Sequence, residues 1–252
     1  MMSCSWFSAP QRLTLRHDDV HIWRAALDRP EASVRHLGTL LADDERQRAE
    51  RFIFPRDRAH FTVARGLLRV LLGQYLACPP QHICFTYGPH GKPALALETD
   101  GATLHFNVSH SHGLALYACS WGRLLGVDVE RIRPRVAQEN IAEHFFSPRE
   151  VRTLRALPVP MQASAFFACW TRKEAFIKAK GLGLALPLRQ FDVAFAPGEP
   201  AALLHTAWDA AEAAHWALRD LDPAPDYRGA VAVAGHDWRL TCWDMPASWD
   251  AP

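Results

Sequence analysis

The chain has 252 residues and a formal net charge of +1 at pH 7, with 49% hydrophobic and 22% charged residues. This length and composition are typical of a globular protein that buries a sizeable core, and the near-neutral charge provides no overall field for capturing nucleic acid. Any anionic ligand must therefore be bound by a local cluster of cationic side chains.

The N-terminal part of the chain predicts two helices. Acidic residues 43–45 lie in the first turn of a charged helix that runs to about Phe52. A second helix is predicted over residues 56–76, where apolar residues recur at helical spacing. The Pro79-Pro80 pair ends this helix, because proline cannot continue it.

Short strands are predicted in the middle of the chain. The segments 83–87, 104–108, 114–118 and 124–129 are strand-like and are separated by turn-compatible residues. Residues 88–93, Gly-Pro-His-Gly-Lys-Pro, predict a turn.

Helices and strands then recur in the same order. A helical region is expected from about Ala137, and Ser147-Pro148 is typical of a helix start, with serine at the cap and proline at the first position. A long helix is predicted over residues 161–180, ended by Gly181. Strand-like alternation returns after Pro187.

This order of elements predicts an α+β fold with two halves. Helices followed by strands occur twice, and the change lies near residues 119–123. We assign residues 1–120 to an N-terminal half and residues 121–252 to a C-terminal half. No glycine- or serine-rich linker separates the halves, so we expect them to pack closely.

The cysteines and the N-terminus favour a reducing, cytoplasmic location. The cysteines are scattered without a Cys-x-x-Cys pair, which predicts free, mostly buried thiols: Cys4, Cys78, Cys84, Cys119, Cys169 and Cys242. Residues 1–10 lack a basic region followed by an apolar run, so no secretory signal is visible. The most apolar stretch, residues 66–77, is too short to span a bilayer. We therefore expect neither a membrane nor a nucleic-acid partner.

Acidic residues occur in two motifs that could form one site. Alternate residues of a strand share a face, so Asp128 and Glu130 point the same way about 7 Å apart and repel each other unless a cation joins them. On the long helix, Trp170, Glu174 and Lys178 share one stripe. Oxygen ligands of this kind suit magnesium. From spacing alone, an exposed acidic strand edge and a surface Glu–Lys pair are slightly favoured over a metal site.

Two other motifs carry less chemistry. His105, His110 and His112 lack the partners of a zinc site, and a strand-turn segment would splay them. Gly181-Leu182-Gly183 follows a helix, so it predicts a helix C-cap and not a dinucleotide-binding loop.

Taken together, six ordered segments resemble the Sfp-type 4′-phosphopantetheinyl transferase family. They extend over most of the chain from about residue 40 to residue 195. The segments are Arg-Gln-Arg-Ala-Glu-Arg-Phe at 46–52, Gly-Lys-Pro at 91–93, Phe-Asn-Val-Ser-His-Ser at 106–111, Gly-Val-Asp-Val-Glu at 126–130, Phe-Phe-Ser at 145–147, and residues 170–183.

The resemblance implies a pseudo-dimer of two similar α/β halves with coenzyme A in the cleft between them. It implies a Mg²⁺-dependent enzyme that transfers the 4′-phosphopantetheine group of coenzyme A to a serine of an apo acyl or peptidyl carrier protein, releasing 3′,5′-ADP. Asp128, Glu130 and Glu174 match the magnesium ligands, and Lys178 matches the lysine that contacts the coenzyme A phosphates. The chemistry of the reaction makes Glu174 the candidate base for the serine proton and Lys178 the catalytic group that stabilises or protonates the departing 3′,5′-ADP. The coenzyme A contacts implied are Arg48, Thr62, Gly91, Lys92, Ser109, His110, Asp128, Lys173 and Lys178.

Two positions depart from the family pattern. Glu45 stands where some relatives use a basic residue, so the 3′-phosphate would depend more on Arg48 and His110. Val129, between the acids, cannot ligate a metal, so a water is expected at that coordination position. Neither departure changes the expected reaction.

Two alternatives use the same acids. A magnesium-dependent nucleotide pyrophosphate hydrolase would not need Trp170 or Lys178. A catalytically silent carrier-protein binder would be expected to lack at least one acid or Lys178. Because both sides of the expected cleft lie in one chain, we predict a monomer.

Overall fold

A computed structural model describes residues 4–96, 103–135 and 140–250. The helices described in full are α1 (Glu31–Thr39), α2 (Asp43–Glu50), α3 (Pro55–Leu76), α4 (Ile141–Phe145), α5 (Pro148–Ala156) and α6 (Val159–Lys180). The strands of the N-terminal half are β1 (Trp6–Ser8), β2 (Asp19–Ala26), β3 (Phe85–Tyr87), β4 (Pro93–Leu95), β5 (Leu104–Ser111) and β6 (Leu114–Trp121). The later strands are β7 (Leu125–Arg131), β8 (Phe191–Ala194), β9 (Ala202–Thr206), β10 (Trp216–Leu221), β11 (Tyr227–Ala234) and β12 (Arg239–Asp244).

Two sheets form the centre of the molecule. A five-stranded sheet has the order β1-β12-β2-β6-β5, and a three-stranded sheet has the order β10-β11-β7. The small antiparallel pairs β3–β4 and β8–β9 are separate from both. Strand β12 runs parallel to β2, so the last strand of the chain belongs to the sheet of the first half. The domain boundary near residue 120 stays a prediction.

Three apolar clusters arrange the helices and sheets in four layers. Helix α3 packs on one face of the five-stranded sheet, where Leu67 belongs to the same cluster as Trp23. The preceding residue of β2, Ile22, points to the opposite face and packs with Val127 of the three-stranded sheet. Helix α6 covers the outer face of the three-stranded sheet through Phe176 and its neighbours. Each sheet thus has its own helix, and the two sheets pack against each other.

The long helices α3 and α6 are closely similar. Each has 22 residues and a proline in its first turn. Each ends at a left-handed residue, Ala77 with φ 49° and Gly181 with φ 71°. Together with the paired layers, this similarity confirms the predicted α+β fold of two similar halves. No helix in the described ranges is both long enough and apolar enough to cross a membrane.

Local sequence signals predicted most of the central elements. The helix start at Ser147 is confirmed, because the Ser147 hydroxyl accepts the Glu150 N–H and the Glu150 carboxylate accepts the Ser147 N–H. The start expected at Ala137 lies outside the described residues. Strands β1, β2, β9 and β12 and helix α1 were not predicted; all of them lie outside residues 40–195, which carry the family motifs.

The prediction that every cysteine is a free thiol is wrong for two of them. Cys4 and Cys242 form a disulfide across 238 positions of sequence. The contact arises because β1 runs beside β12 in parallel, with Trp6 opposite Cys242. No local spacing could reveal this pairing. The remaining cysteines are free, and two of these four are buried: Cys78, Cys84, Cys119 and Cys169.

Candidate active site

The edge strands β5 and β7 of the two sheets meet at the candidate site. Side chains of β5 accept backbone N–H groups of β7: Asn107 from Val127 at 2.9 Å, Ser109 from Val129 at 3.3 Å, and Ser111 from Arg131 at 3.3 Å. These three hydrogen bonds join the two halves of the molecule and leave the acidic residues of β7 at the junction.

Strand β7 presents its acids on one face, as its alternation predicts. Val127 and Val129 are fully buried in the cluster between the sheets. Asp128 is buried, with 4% of its surface exposed, and Glu130 is half-buried. The predicted common face of the two carboxylates and the opposite face of the two valines are therefore confirmed.

A very close approach of α6 to β7 brings the helix to these acids. A Cβ atom added at Gly126 would overlap the backbone of Ala175 and Ala179. Only glycine allows this contact, since any side chain would push the helix away. Glu174 and Lys178 are neighbours of the two contacting residues of α6. The close approach therefore determines the distance from these two side chains to the carboxylates of β7.

A compact charged group forms around Asp128. The Lys178 ammonium donates to Asp128 Oδ1 at 2.6 Å and to Ser109 Oγ at 2.8 Å. Ser109 Oγ itself donates to Asp128 Oδ1 at 2.8 Å. An ammonium has three donors, so one N–H of Lys178 remains for a ligand. Asp128 Oδ2 is buried and receives no hydrogen bond from the described residues, so it is a free acceptor.

The pKa of Glu174 lies close to neutral pH. Burial raises the pKa of this carboxyl from 4.5 to about 7, and repulsion from Asp128 and Glu130 adds to the rise, whereas Lys178 opposes it. The pKa of Glu130 is also raised, chiefly by burial, while a hydrogen bond from Ser111 opposes the rise. Glu174 can therefore both accept and release a proton near pH 7.

His110 lies next to this group in its neutral form. Partial burial and the positive charge of Lys178 lower the pKa of His110 below 6.5, although its side chain keeps solvent exposure. A neutral imidazole can hydrogen-bond to a phosphate but adds no positive charge to the site at neutral pH.

Lys92 links the β3–β4 hairpin to the end of α6. Its ammonium donates to the carbonyl oxygens of Lys178 at 2.6 Å and of Ala179 and Leu125 at 3.2 Å each. The last carbonyls of a helix lack partners within the helix, so Lys92 satisfies them. Burial lowers the pKa of Lys92 to about 8. The predicted phosphate contact would require Lys92 to release these carbonyls.

The expectation for Lys173 needs correction, because the structure buries this side chain away from the carboxylates of β7. Its exposed fraction is 0%, and its ammonium lies 2.8 Å from a carboxylate oxygen of Glu150. It also donates to the carbonyls of Leu188 at 2.8 Å and Phe191 at 2.5 Å. All three ammonium donors are used inside the C-terminal half, so Lys173 holds α5 and β8 to α6 and offers nothing to a phosphate.

Arg48 and Thr62 lie in the N-terminal half, on α2 and α3. The exposed guanidinium of Arg48 lies over the ring of Phe61, 5.5 Å from its centre. Thr62 lines a cleft of about 230 Å³ between α1, α2 and α3, beside Arg46 and Arg58. Among the described residues, no hydrogen bond joins these two predicted coenzyme A contacts to the charged group around Asp128.

Glu45 explains one departure from the family pattern. Its carboxylate is almost fully buried and accepts hydrogen bonds from Arg65, from Arg69 and from the N–H of Ala42. Two guanidinium groups neutralise it in place. Glu45 therefore caps α2 and holds it on α3, and it is not presented to a ligand.

The acidic residues fit a magnesium ion that is completed by substrate. Within the described ranges, no three His, Cys, Asp or Glu side chains are gathered closely enough to enclose a metal. Magnesium is usually held by one or two carboxylates, with waters and substrate phosphates supplying the other oxygens. The buried, unbonded Oδ2 of Asp128 is a suitable first ligand, and Glu130 lies on the same face. The predicted triad with Glu174 stays a prediction.

Comparison with known proteins identifies the family. Residues 12–121 match the model of the 4′-phosphopantetheinyl transferase N-terminal domain, and residues 124–233 match the 4′-phosphopantetheinyl transferase superfamily. The chain is 42% identical to the 4′-phosphopantetheinyl transferase HetI of a Nostoc species over 243 residues, which cover 96% of this chain and 99% of HetI. The chain belongs to the 4′-phosphopantetheinyl transferase family.

Other transferases of the family are also similar. The chain is 32% identical to psf-1 of Bacillus pumilus over 84% of this chain and 89% of psf-1. It is 31% identical to Sfp of Bacillus subtilis over 68% of this chain and 75% of Sfp. The resemblance predicted from the motifs is thus confirmed, and the protein is an enzyme of this class. Membership favours the transferase over the pyrophosphate hydrolase and the silent binder.

Two polar residues of the junction between β5 and β7 were not predicted individually. Asn107 and Ser111 flank Ser109 on one face of β5 and make the outer hydrogen bonds to β7. Their alternation in Asn-Val-Ser-His-Ser was a usable signal, because three polar residues at every second position share a face. The partner strand was the missing information, since β5 and β7 belong to different sheets.

Proposed function

We propose that this transferase moves the 4′-phosphopantetheine group of coenzyme A to a serine hydroxyl of an apo acyl or peptidyl carrier protein and releases 3′,5′-ADP, with Mg²⁺ as the required ion. The observation that carries the proposal is the group formed by Asp128, Ser109 and Lys178 next to Glu174, whose pKa is about 7. It combines a proton acceptor, a cation and free carboxylate oxygen at one junction.

Glu174 is the proposed base. The serine oxygen of the carrier attacks the β-phosphorus of the coenzyme A pyrophosphate, and Glu174 takes the serine proton directly or through a water. A base with a pKa near the working pH is the most effective compromise between being deprotonated and being a good acceptor. Burial is the main cause of this pKa, so the same pocket that holds Glu174 prepares it for the role.

Lys178 is proposed to act on the leaving group. The bond between the β-phosphorus and the bridging oxygen breaks, and negative charge develops on 3′,5′-ADP. Two N–H groups of Lys178 donate to Asp128 and Ser109, and the third can donate to the oxygen on which that charge develops. Asp128 and Ser109 meanwhile hold the ammonium in place, so little reorganisation is needed when the charge develops.

The acids of β7 are proposed to hold magnesium. Asp128 and Glu130 would be its ligands, with Glu174 the third carboxylate that the family resemblance implies. Bound there, the ion supplies charge neutralisation for the pyrophosphate.

The adenosine end of coenzyme A is proposed to lie against the N-terminal half. Arg48, Thr62 and Gly91 are the contacts implied by the family, and His110 and Ser109 would complete them at the junction. Arg48 is exposed and therefore available to a 3′-phosphate. Lys92 can join them only by leaving the carbonyls at the end of α6.

Mass spectrometry tests the reaction. The protein is incubated with MgCl₂, coenzyme A and an apo carrier protein, and the carrier is weighed intact. We expect the mass to rise by one phosphopantetheine group and EDTA to prevent the rise. An unchanged mass across several acyl and peptidyl carriers would refute the proposed function.

Variants of two neighbouring lysines test the site. Lys178→Ala is expected to reduce transfer by about 100-fold, by analogy with the loss of one preorganised donor. Lys180→Ala is the matched control: it lies on the same turn, but its ammonium pairs with Glu212 at 2.8 Å. Equal losses in the two variants would contradict the role of Lys178.

Location and assembly remain predictions of the sequence. We expect a cytoplasmic protein that works as a monomer, independent of nucleic acid and membrane. Light scattering at working concentration checks the monomer, and a stable dimer would contradict it.

A further inference from the structure

Two serines of β5 hold two acids of β7 in the same way. Ser109 Oγ donates to Asp128 Oδ1 at 2.8 Å and accepts the N–H of the residue after this acid. Ser111 Oγ donates to Glu130 Oε2 at 2.7 Å and likewise accepts the N–H of the residue after it. Each hydroxyl therefore binds a carboxylate and the adjacent backbone at once.

Asn107 makes the corresponding backbone contact without an acid. Its Oδ1 accepts the N–H of Val127, and the residue before Val127 is Gly126, which has no side chain. At the junction, the Asn107 side chain thus only joins the two strands, whereas the Ser109 and Ser111 side chains join the strands and also bind a carboxylate. Variants of Asn107 and of Ser111 can therefore distinguish the role of a side chain in joining the halves from its role in placing a carboxylate.

The junction depends on these side chains because both strands have their backbone partners elsewhere. Strand β7 pairs with β11, and β5 pairs with β6. The N–H groups of β7 that face β5 would otherwise be buried without acceptors, which is costly. With 7% of its surface exposed, Ser111 lies where solvent has little access to replace its hydroxyl.

We propose that Ser111 is a positioning residue of this site and acts through Glu130. Its hydroxyl holds Oε2, which turns Oε1 of the same carboxylate towards a divalent cation at Asp128. This inference rests on the proposed magnesium-dependent transfer. Ser111 Oγ also lies 3.0 Å from His112 Nδ1. With a proton on Nδ1, His112 donates to this oxygen and leaves the hydroxyl proton to Glu130.

Mn²⁺ binding tests the proposal independently of transfer. Mn²⁺ is titrated into the full chain with coenzyme A present, and the free ion is measured by electron paramagnetic resonance. We expect Ser111→Ala to weaken Mn²⁺ binding about 10- to 100-fold, as for other residues that orient a metal ligand. Ser111→Thr, which keeps the hydroxyl, should stay within about 3-fold of the original protein. In transfer assays, Ser111→Ala should need more Mg²⁺, with a smaller change in the KM for coenzyme A.

Two variants control for a general loosening of the junction. Asn107→Ala removes the hydrogen bond that holds no acid, so it should lower Tm by about 5 °C and leave Mn²⁺ binding within about 2-fold. Ser120→Ala removes a buried hydroxyl of β6 that donates to the Arg123 carbonyl in the turn between β6 and β7, and it should behave likewise. If Ser111→Ala does not fold, Ser111→Cys replaces it, because a thiol is similar in size but a weak donor.

Each outcome decides between the proposals. Unchanged Mn²⁺ binding in the Ser111 variant, or an equal loss in Asn107→Ala and Ser120→Ala, overturns the role of Ser111 while transfer by the original protein stands. An original protein that binds no Mn²⁺ with coenzyme A present overturns the role of Ser111 together with the metal site. An original protein that binds Mn²⁺ but modifies no carrier refutes the proposed function alone.

Discussion

Glu174→Gln is expected to stabilise the metal-free protein at pH 8 and to abolish transfer. The folded chain holds the Glu174 carboxyl in a largely buried position beside Asp128 and Glu130, and these surroundings raise its pKa to about 7. No hydrogen bond from the described residues compensates the charge. Glutamine has nearly the same shape and no charge, so it removes the penalty while keeping the packing.

The size of the effect follows from the pKa. A rise from 4.5 to about 7 corresponds to about 3 kcal/mol of destabilisation once the group is ionised in both states. We expect about 2 kcal/mol, because Glu174 is not fully buried and retains some solvent screening. Between pH 4.5 and pH 7 the folded state binds more protons than the unfolded state, so the free energy of unfolding falls as pH rises. The penalty is complete above pH 7, and about a quarter of it is present at pH 5.

Urea unfolding in EDTA measures this effect. At pH 8, Glu174→Gln should raise the free energy of unfolding by about 2 kcal/mol and Tm by about 6 °C. At pH 5 the gain should shrink to about 0.5 kcal/mol. Glu50→Gln, at an exposed position of α2, should change stability by less than about 0.5 kcal/mol. A gain that does not grow between pH 5 and pH 8, or a loss at pH 8, would refute the reasoning.

Three further predictions concern stability. Lys173→Met should lower the free energy of unfolding by about 3–5 kcal/mol, because it leaves Glu150 buried without its cation; a loss below about 1 kcal/mol in urea would contradict this. Gly126→Ala should cost more than about 3 kcal/mol, because the new Cβ would meet the backbone of α6. Gly88→Ala is its control, since the nearest atom to its new Cβ is 3.8 Å away, and equal losses would argue against the clash. Cys4→Ser should cost about 2–4 kcal/mol by removing the disulfide, and dithiothreitol should lower the stability of the original protein equally; identical reduced and oxidised stabilities would exclude this contribution.

Local sequence was sufficient for the elements whose signals lie within a few residues. The capping pair at Ser147, the stop at Gly181 and the alternation around Asp128 each depend on neighbours in the chain, and all three are found in the structure. The family motifs placed the acidic strand and the helix of Glu174 in one site before any contact was known. The sequence also showed which positions carry a charged side chain, but it did not show which residue pairs with each charge.

The tertiary structure decided which groups are available to a ligand. Lys173 and Glu45 carry charges that the sequence alone could offer to a phosphate or a cation, yet each is used up by a distant partner within the core. The disulfide between Cys4 and Cys242 and the hydrogen bonds between Ser111 and β7 depend on strands that meet only after folding. The amino-acid sequence by itself determined the family and most of the helices and strands between residues 40 and 195, because these depend on local periodicity and ordered motifs. Burial and long-range pairing, which set the pKa of Glu174 and the reach of Lys178, exist only once the two halves pack together.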